Sequence, residues 1–182
     1  MTTLSRPLAL VGFKASGKTT VGRLLAERLD VGYVDTDAII EERYAVLNGV
    51  EKTFRQIYTD HGADEFAAME REALVVALTS GPQVVSFGGG TLGNAVASGI
   101  DLAGMTLVHL AVEKEALYKR MMAGGLPAFL DPADPRGSFD RYWNERAPLY
   151  ESRSQIVVDN TKRRPVATAD EIIVRLEKLD GR

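Results

Sequence analysis

Gly12-Phe13-Lys14-Ala15-Ser16-Gly17-Lys18-Thr19 fits the pattern G-x-x-x-x-G-K-[ST]. The pattern constrains the fold as much as the ligand, because it works only between a buried strand and the start of a helix. Both neighbours can be read. Residues 7–11 form an apolar run too short for a helix and stop at glycine, so they predict a buried parallel strand. Beyond the loop, Val21, Leu24, Leu25 and Leu29 recur at helical spacing. In that setting successive backbone N–H groups turn inward on phosphate oxygens. The helix presents its positive end to the same anion. Lys18 reaches the β- and γ-phosphates, and the Thr19 hydroxyl is suited to ligate Mg²⁺. Gly12, Ala15, Ser16, Gly17, Lys18, Thr19 and Thr20 are therefore the expected nucleotide contacts, with ATP and Mg²⁺ as cofactors.

The rest of the chain alternates between two periods. Residues 31–34, 83–87, 105–110 and 155–159 read as four more short apolar strands. Helical patterns cover residues 38–47, 64–79 and 168–179, the last following Pro165. Five apolar strands alternating with helices predict an α/β fold, a parallel doubly wound sheet covered on both faces. The 182 residues suit one domain, 1–182, which buries roughly 70% of its unfolded surface. Residues 123–137 are the longest irregular stretch, rich in glycine and proline, and are expected to act as a lid.

Composition narrows the function classes. Lys plus Arg number 22 against 25 Asp plus Glu, a net charge of −3, which lacks the footprint of a nucleic-acid binder. The chain has no cysteine, so a thiolate nucleophile and a Cys-ligated metal are excluded. No apolar run approaches the roughly 20 residues needed to span a bilayer, and the polar N-terminus does not read as a cleaved signal. A cytoplasmic, monomeric enzyme acting on a small molecule, without membrane or nucleic-acid partners, is the expectation.

Asp35-Thr36-Asp37 ends the second strand, on the sheet edge where open α/β folds bind ligands. If extended geometry continues, Asp35 and Asp37 point to the same side. Beside a Mg-nucleotide, one carboxylate can hold the metal's water shell and the other accept a proton from an alcohol. The alternative is that Asp37 caps a helix beginning near Ala38; proximity to the phosphate loop favours catalysis. Gly88-Gly89-Gly90 ends the third strand on the same edge, and three successive glycines suit close approach of a ligand to the main chain.

Together these residues resemble the shikimate kinase family over nearly the whole chain. The matches are Gly17-Lys18-Thr19, Asp35-Thr36-Asp37, His61-Gly62 followed by Phe66 and Glu70, Gly88-Gly89-Gly90, Arg120, and Arg146-Ala147-Pro148-Leu149-Tyr150. The resemblance implies the nucleoside-monophosphate-kinase-like P-loop fold with strand order 2-3-1-4-5. It implies transfer of the γ-phosphoryl of ATP to a ring hydroxyl of shikimate, a step of aromatic amino acid biosynthesis. By that likeness Lys18 and Asp37 are catalytic, with Asp37 also binding the substrate hydroxyls. Asp35 and Thr19 organise Mg²⁺. Arg146, Gly88, Gly89 and Gly90 face the substrate carboxylate. Arg120 lies against adenine, with Arg163 and Pro165 in a second adenine-side loop.

Two departures bear on the acceptor. The family pattern has arginine directly after the phenylalanine that Phe66 matches; here it is Ala67. The family lid carries Arg-Pro-Leu-Leu, whereas this chain reads Leu126-Pro127-Ala128-Phe129. A charged hydrogen bond lost from such a site costs about 1.5–3 kcal/mol. A missing transition-state arginine costs on the order of 10³-fold in rate. Arg71 and Lys14 are the nearby cations that could substitute. The expectation is that shikimate is a poor substrate and that a polyol or cyclitol without a carboxylate does better. A reading from another class is a catalytically weak nucleotide-binding protein. Intact Lys18, Thr19, Asp35 and Asp37 argue against it.

The remaining candidates have plainer readings. His61 and His109 share no metal-ligand spacing. Phe139, Tyr142 and Trp143 precede Arg146 on a predicted helix and suit core packing. Lys162-Arg163-Arg164 is a solvated turn or a nucleotide contact, and too small a patch for nucleic acid.

Overall fold

A computed structural model describes residues 3–127, 129–179 and 181. Five strands, β1 (Leu8–Val11), β2 (Gly32–Asp35), β3 (Gln83–Ser86), β4 (Thr106–Ala111) and β5 (Ile156–Asp159), form one sheet in the order β2-β3-β1-β4-β5. All four pairings are parallel. This is the expected order and the expected doubly wound class.

Alternation along the strands sorts side chains into two cores. Leu8 and Leu10 of β1, Val84 of β3 and Val108 and Leu110 of β4 face one layer. That layer holds α1 (Lys18–Leu29) and α7 (Pro165–Leu179), through residues such as Val21, Leu25, Ile172 and Leu176. Ala9 and Val11 of β1, Val85 of β3 and Leu107 of β4 face the other. There they meet α2 (Thr36–Asn48), α3 (Phe54–Thr79), α4 (Thr91–Ala97), α5 (Lys114–Ala123) and α6 (Pro135–Arg153). Both sides of β1 are sealed, which is why its run reads as uniformly apolar. The edge strand β5 buries only alternate residues, Ile156 and Val158.

Several boundaries differ from the sequence expectation. α3 begins at Phe54 rather than at 64, because Thr53 and Gln56 form a capping box there. Thr53 N–H donates to Gln56 Oε1 at 2.9 Å, and Gln56 N–H to Thr53 Oγ1 at 3.4 Å. Gly62, at φ 79° and ψ 178°, interrupts that helix and breaks the apolar period across it. α2 starts at Thr36 rather than 38, and α7 starts at Pro165 rather than 168, a first-turn position that suits proline. α4 follows the glycine triplet directly. The irregular stretch expected over 123–137 is shorter at both ends. α5 runs to Ala123, and α6 opens at Pro135 behind Asp134, whose carboxylate accepts from Gly137 N–H at 2.9 Å. Ala128, in that stretch, lies outside the described residues.

Candidate active site

The sheet order brings the loop after β1, the loop after β2 and the loop after β3 to one edge. The first is the phosphate loop. Gly17 sits at φ 99°, and a Cβ there would stand 2.7 Å from the Asn160 side-chain amide. That amide donates to Ser16 O at 2.8 Å, while Asn160 Oδ1 accepts from Thr168 Oγ1 at 2.6 Å. Asn160, just past β5, thus braces the loop from beneath; nothing local in the sequence marks it for that role. The Lys18 ammonium donates to Gly12 O and Phe13 O, both at 2.9 Å. Burial lowers its pKa to about 8 against the opposing pull of Asp35 and Asp37. The first turn of α1 carries no acidic residue and no side-chain cap, so its N–H groups suit an anion. Thr19 and Thr20 are exposed there, and Ala15 turns the loop at φ 64°.

The second loop corrects one expectation. The strand does not continue through Asp37, so Asp35 and Asp37 are not alternate residues of an extended run. The chain turns helical at Thr36; Asp35 caps α2, accepting Asp37 N–H at 3.0 Å, and Asp37 lies in the first turn. Capping therefore falls to Asp35, which leaves the Asp37 carboxylate for other work. That carboxylate lies against Gly88, where any Cβ would overlap it. Burial first, then the charges of Asp35 and Glu70, push the Asp37 pKa up to about 7, opposed by Lys18. Burial raises Asp35 as well, offset by its hydrogen bond from Asp37 N–H and by Lys18. Thr36, between them, is fully buried, and its hydroxyl accepts Gly88 N–H at 2.7 Å. It pins the second loop to the third, a role hidden in the sequence between two conspicuous acids.

The third loop is the glycine triplet. Glu70, buried on α3, accepts from Thr91 Oγ1 at 3.0 Å and from the Asn94 amide, packing α3 against Gly90. Arg146 of α6 donates to Gly89 O, to which Tyr150 Oη also donates at 3.2 Å. The Arg146 guanidinium lies 4.8 Å from the centre of the Tyr142 ring, and its buried Nε has no hydrogen-bond partner among the described residues. Arg146, Gly88–90 and Asp37 are thus gathered at the edge occupied by the phosphate loop. Ala67 is half-buried on α3, and Leu126 is exposed. Of the two candidate substitute cations, Lys14 is coupled to Asp37: burial and then Arg55 lower its pKa, while Asp37 raises it.

On the far side of the loop, Arg120 of α5 donates to Asn160 O at 3.0 Å and to Thr161 O at 2.5 Å. Arg163 pairs with Glu171 of α7, which also holds Arg175 at 2.6 Å. These two arginines flank the turn after β5 rather than the acidic recess. His109 is buried in β4, its ring 5.4 Å from that of Tyr150, and burial followed by Lys18 drops its pKa to about 4, so it is neutral. His61 bonds Glu65 at 2.7 Å and Tyr44 at 3.1 Å.

The arrangement sets one carboxylate, Asp37, and one ammonium, Lys18, at the same edge with converging pKa values. Asp37 can accept a proton only once deprotonated, so a reaction that uses it as base should speed up as pH rises through about 7. Lys18 can hold an anion only while charged, so a reaction that relies on it should slow above about 8. Initial rates from about pH 5 to about pH 10 should trace a narrow bell; a flat profile would contradict these roles.

The family model for shikimate kinase matches residues 14–177. A shikimate kinase of Thermobifida fusca (strain YX) is 40% identical over 174 residues, covering 94% of this chain and 96% of that protein. Among solved structures, shikimate kinase from Aquifex aeolicus is 27% identical, with a TM-score of 0.78, covering 96% of this chain and 98% of that one. Shikimate kinase from Acinetobacter baumannii, solved in complex with shikimate, is 24% identical, with a TM-score of 0.82, covering 97% of this chain and 93% of that one.

Proposed function

From the premise that the chain belongs to the shikimate kinase family, we propose that Asp37 orients a ring hydroxyl of shikimate and takes its proton as the γ-phosphoryl group leaves ATP. The protein is a kinase that phosphorylates a hydroxyl of a small metabolite. The observation that carries the assignment of the base is the Asp37 carboxylate, held against Gly88 and electrostatically coupled to Lys18. Phosphoryl transfer asks little covalent chemistry of the protein, so holding the hydroxyl in line is its main task. Lys18 and the first-turn amides of α1 hold the β- and γ-phosphates. Arg146 and the triplet receive the acceptor's far side. The Thr19 hydroxyl and the Asp35 carboxylate fit Mg²⁺, which takes one or two protein oxygens and keeps water and phosphate oxygens for the rest. No cluster of three or more His, Asp or Glu exists among the described residues to favour a fully protein-bound metal instead. When bound, Mg²⁺ neutralises charge developing on the phosphates. Residues 124–127 and 129–134 serve as a lid that excludes water from the transferred group. Arg120 and Arg163 serve the adenine side. In this reading the enzyme is a cytoplasmic monomer; no helix among the described residues is long and apolar enough to cross a membrane.

Ala67 and Leu126 favour a second reading for the acceptor, a polyol or cyclitol without a carboxylate. ADP release measured across shikimate, quinate, gluconate and inositols separates the two. The loss of both arginines predicts shikimate turnover with kcat/KM below about 10⁴ M⁻¹s⁻¹, beneath the range of ordinary enzymes. Efficient shikimate turnover would assign shikimate as the acceptor and give Arg71, Lys14 or another cation the missing arginines' work. A higher rate on an uncharged polyol would establish the second reading. No ADP release with any of them would overturn the kinase assignment.

A further inference from the structure

Tyr142 stands where four parts of the site meet. Its ring lies 4.6 Å from that of Phe129, centre to centre, with the planes 32° apart, which connects it to the stretch between α5 and α6. On another side it makes an edge contact at 5.4 Å with Phe13, inside the phosphate loop. The Arg146 guanidinium, one helical turn along α6, lies 4.8 Å from its centre. Its hydroxyl is 3.4 Å from where a Cβ on Gly89 would be. Beside it Trp143, the chain's one tryptophan, stacks on Phe13 with ring centres 4.7 Å apart and planes 4° apart. Phe129 is otherwise half-exposed, as is Leu126. The stretch thus meets the site through an aromatic face rather than through a charged group.

We propose that Tyr142 is a positioning residue: its ring holds the Arg146 guanidinium against Gly89 and docks Phe129, tying the stretch over the site to the phosphate loop. The physical basis is a partly desolvated cation–π contact together with an aromatic pair, each of which restricts side-chain freedom around Arg146. Burial raises the tyrosine pKa strongly, so the ring stays neutral and does not pair with Arg146 as a phenolate. The ring therefore does the positioning, and the hydroxyl is secondary.

The catalytic part of this proposal rests on the kinase reading above, and the test separates the two. Tyr142→Leu should raise the acceptor KM about 10-fold, the scale of a partly buried cation–π contact, with the KM for ATP unchanged. Tyr142→Phe should stay within about twofold of wild type, since it keeps the ring. Trp143 fluorescence should respond to ATP analogue plus acceptor in wild type and Tyr142→Phe, and respond less in Tyr142→Leu and Phe129→Leu. Hydrogen exchange over residues 124–134, measured without any ligand, should quicken in Tyr142→Leu and Phe129→Leu but not in Tyr142→Phe. That last measurement holds even if no acceptor is ever phosphorylated, so the docking role stands or falls apart from the activity. Tyr142→Leu within twofold of wild type in acceptor KM, or unchanged exchange in both leucine variants, would overturn the proposal. So would a Tyr142→Phe variant as impaired as Tyr142→Leu, because the hydroxyl would then be the working group.

Discussion

Lys18→Ala is expected to lower kcat by on the order of 10³-fold, the scale of removing a preorganised charge donor from a transition state. Lys18 is the cation that the loop folds around: it donates to Gly12 O and Phe13 O and sits close enough to Asp35 and Asp37 to feel both. The alanine variant loses the ammonium proposed to hold phosphate and also the tie to Gly12 O and Phe13 O. Lys18→Arg keeps the charge but not the compact ammonium, so it should recover little of the rate. Packing of α1 rests on Val21, Leu25 and Leu29, which the substitution does not touch. Thermal melting should therefore shift little while ATP affinity, measured by titration calorimetry, falls. Unchanged affinity and rate in Lys18→Ala would remove the loop from the mechanism.

Asp37→Asn is expected to cost at least about 10²-fold in kcat, the low end of the contribution of a positioned base. Asparagine is close in shape and fits against Gly88, so ATP binding should hardly change. The acidic limb of the pH profile should vanish with the carboxyl, because the group pushed up to about 7 is gone. Single-turnover rates with saturating ATP isolate this step. A variant within tenfold of wild type, with the limb still present, would pass the base's role to another group.

The sheet was legible because its central strands are buried on both faces and stand out as short apolar runs between helical patterns. Strand order followed from the family likeness, since periodicity carries no information on which strand lies beside which. The phosphate loop was legible because all its working parts are consecutive. Elsewhere local signals misled. Gly62 broke the period of α3, so the segment from Phe54 to the kink carried no readable pattern. Asp35 and Asp37 looked like alternate strand residues, but Asp35 is the better helix cap, and its capping starts α2 at Thr36. Thr36 and Asn160 act through partners 52 and 144 residues away, which no local window spans. The same holds for Tyr142, whose helix predicted packing but not its neighbours Phe13, Gly89 and Phe129 from three other segments.

The bond from Asn160 to Ser16 also has a consequence for the order of assembly. The phosphate loop is made 144 residues ahead of the side chain that braces it. Chains are synthesised from the N-terminus, and a contact spanning such a distance forms only after the intervening segment has collapsed. A ribosome-bound chain that has not yet released β5 holds Gly17 without the amide it packs on. Capacity to bind nucleotide should therefore arise only once β5 has docked beside β4 and Thr168 of α7 has oriented the Asn160 side chain.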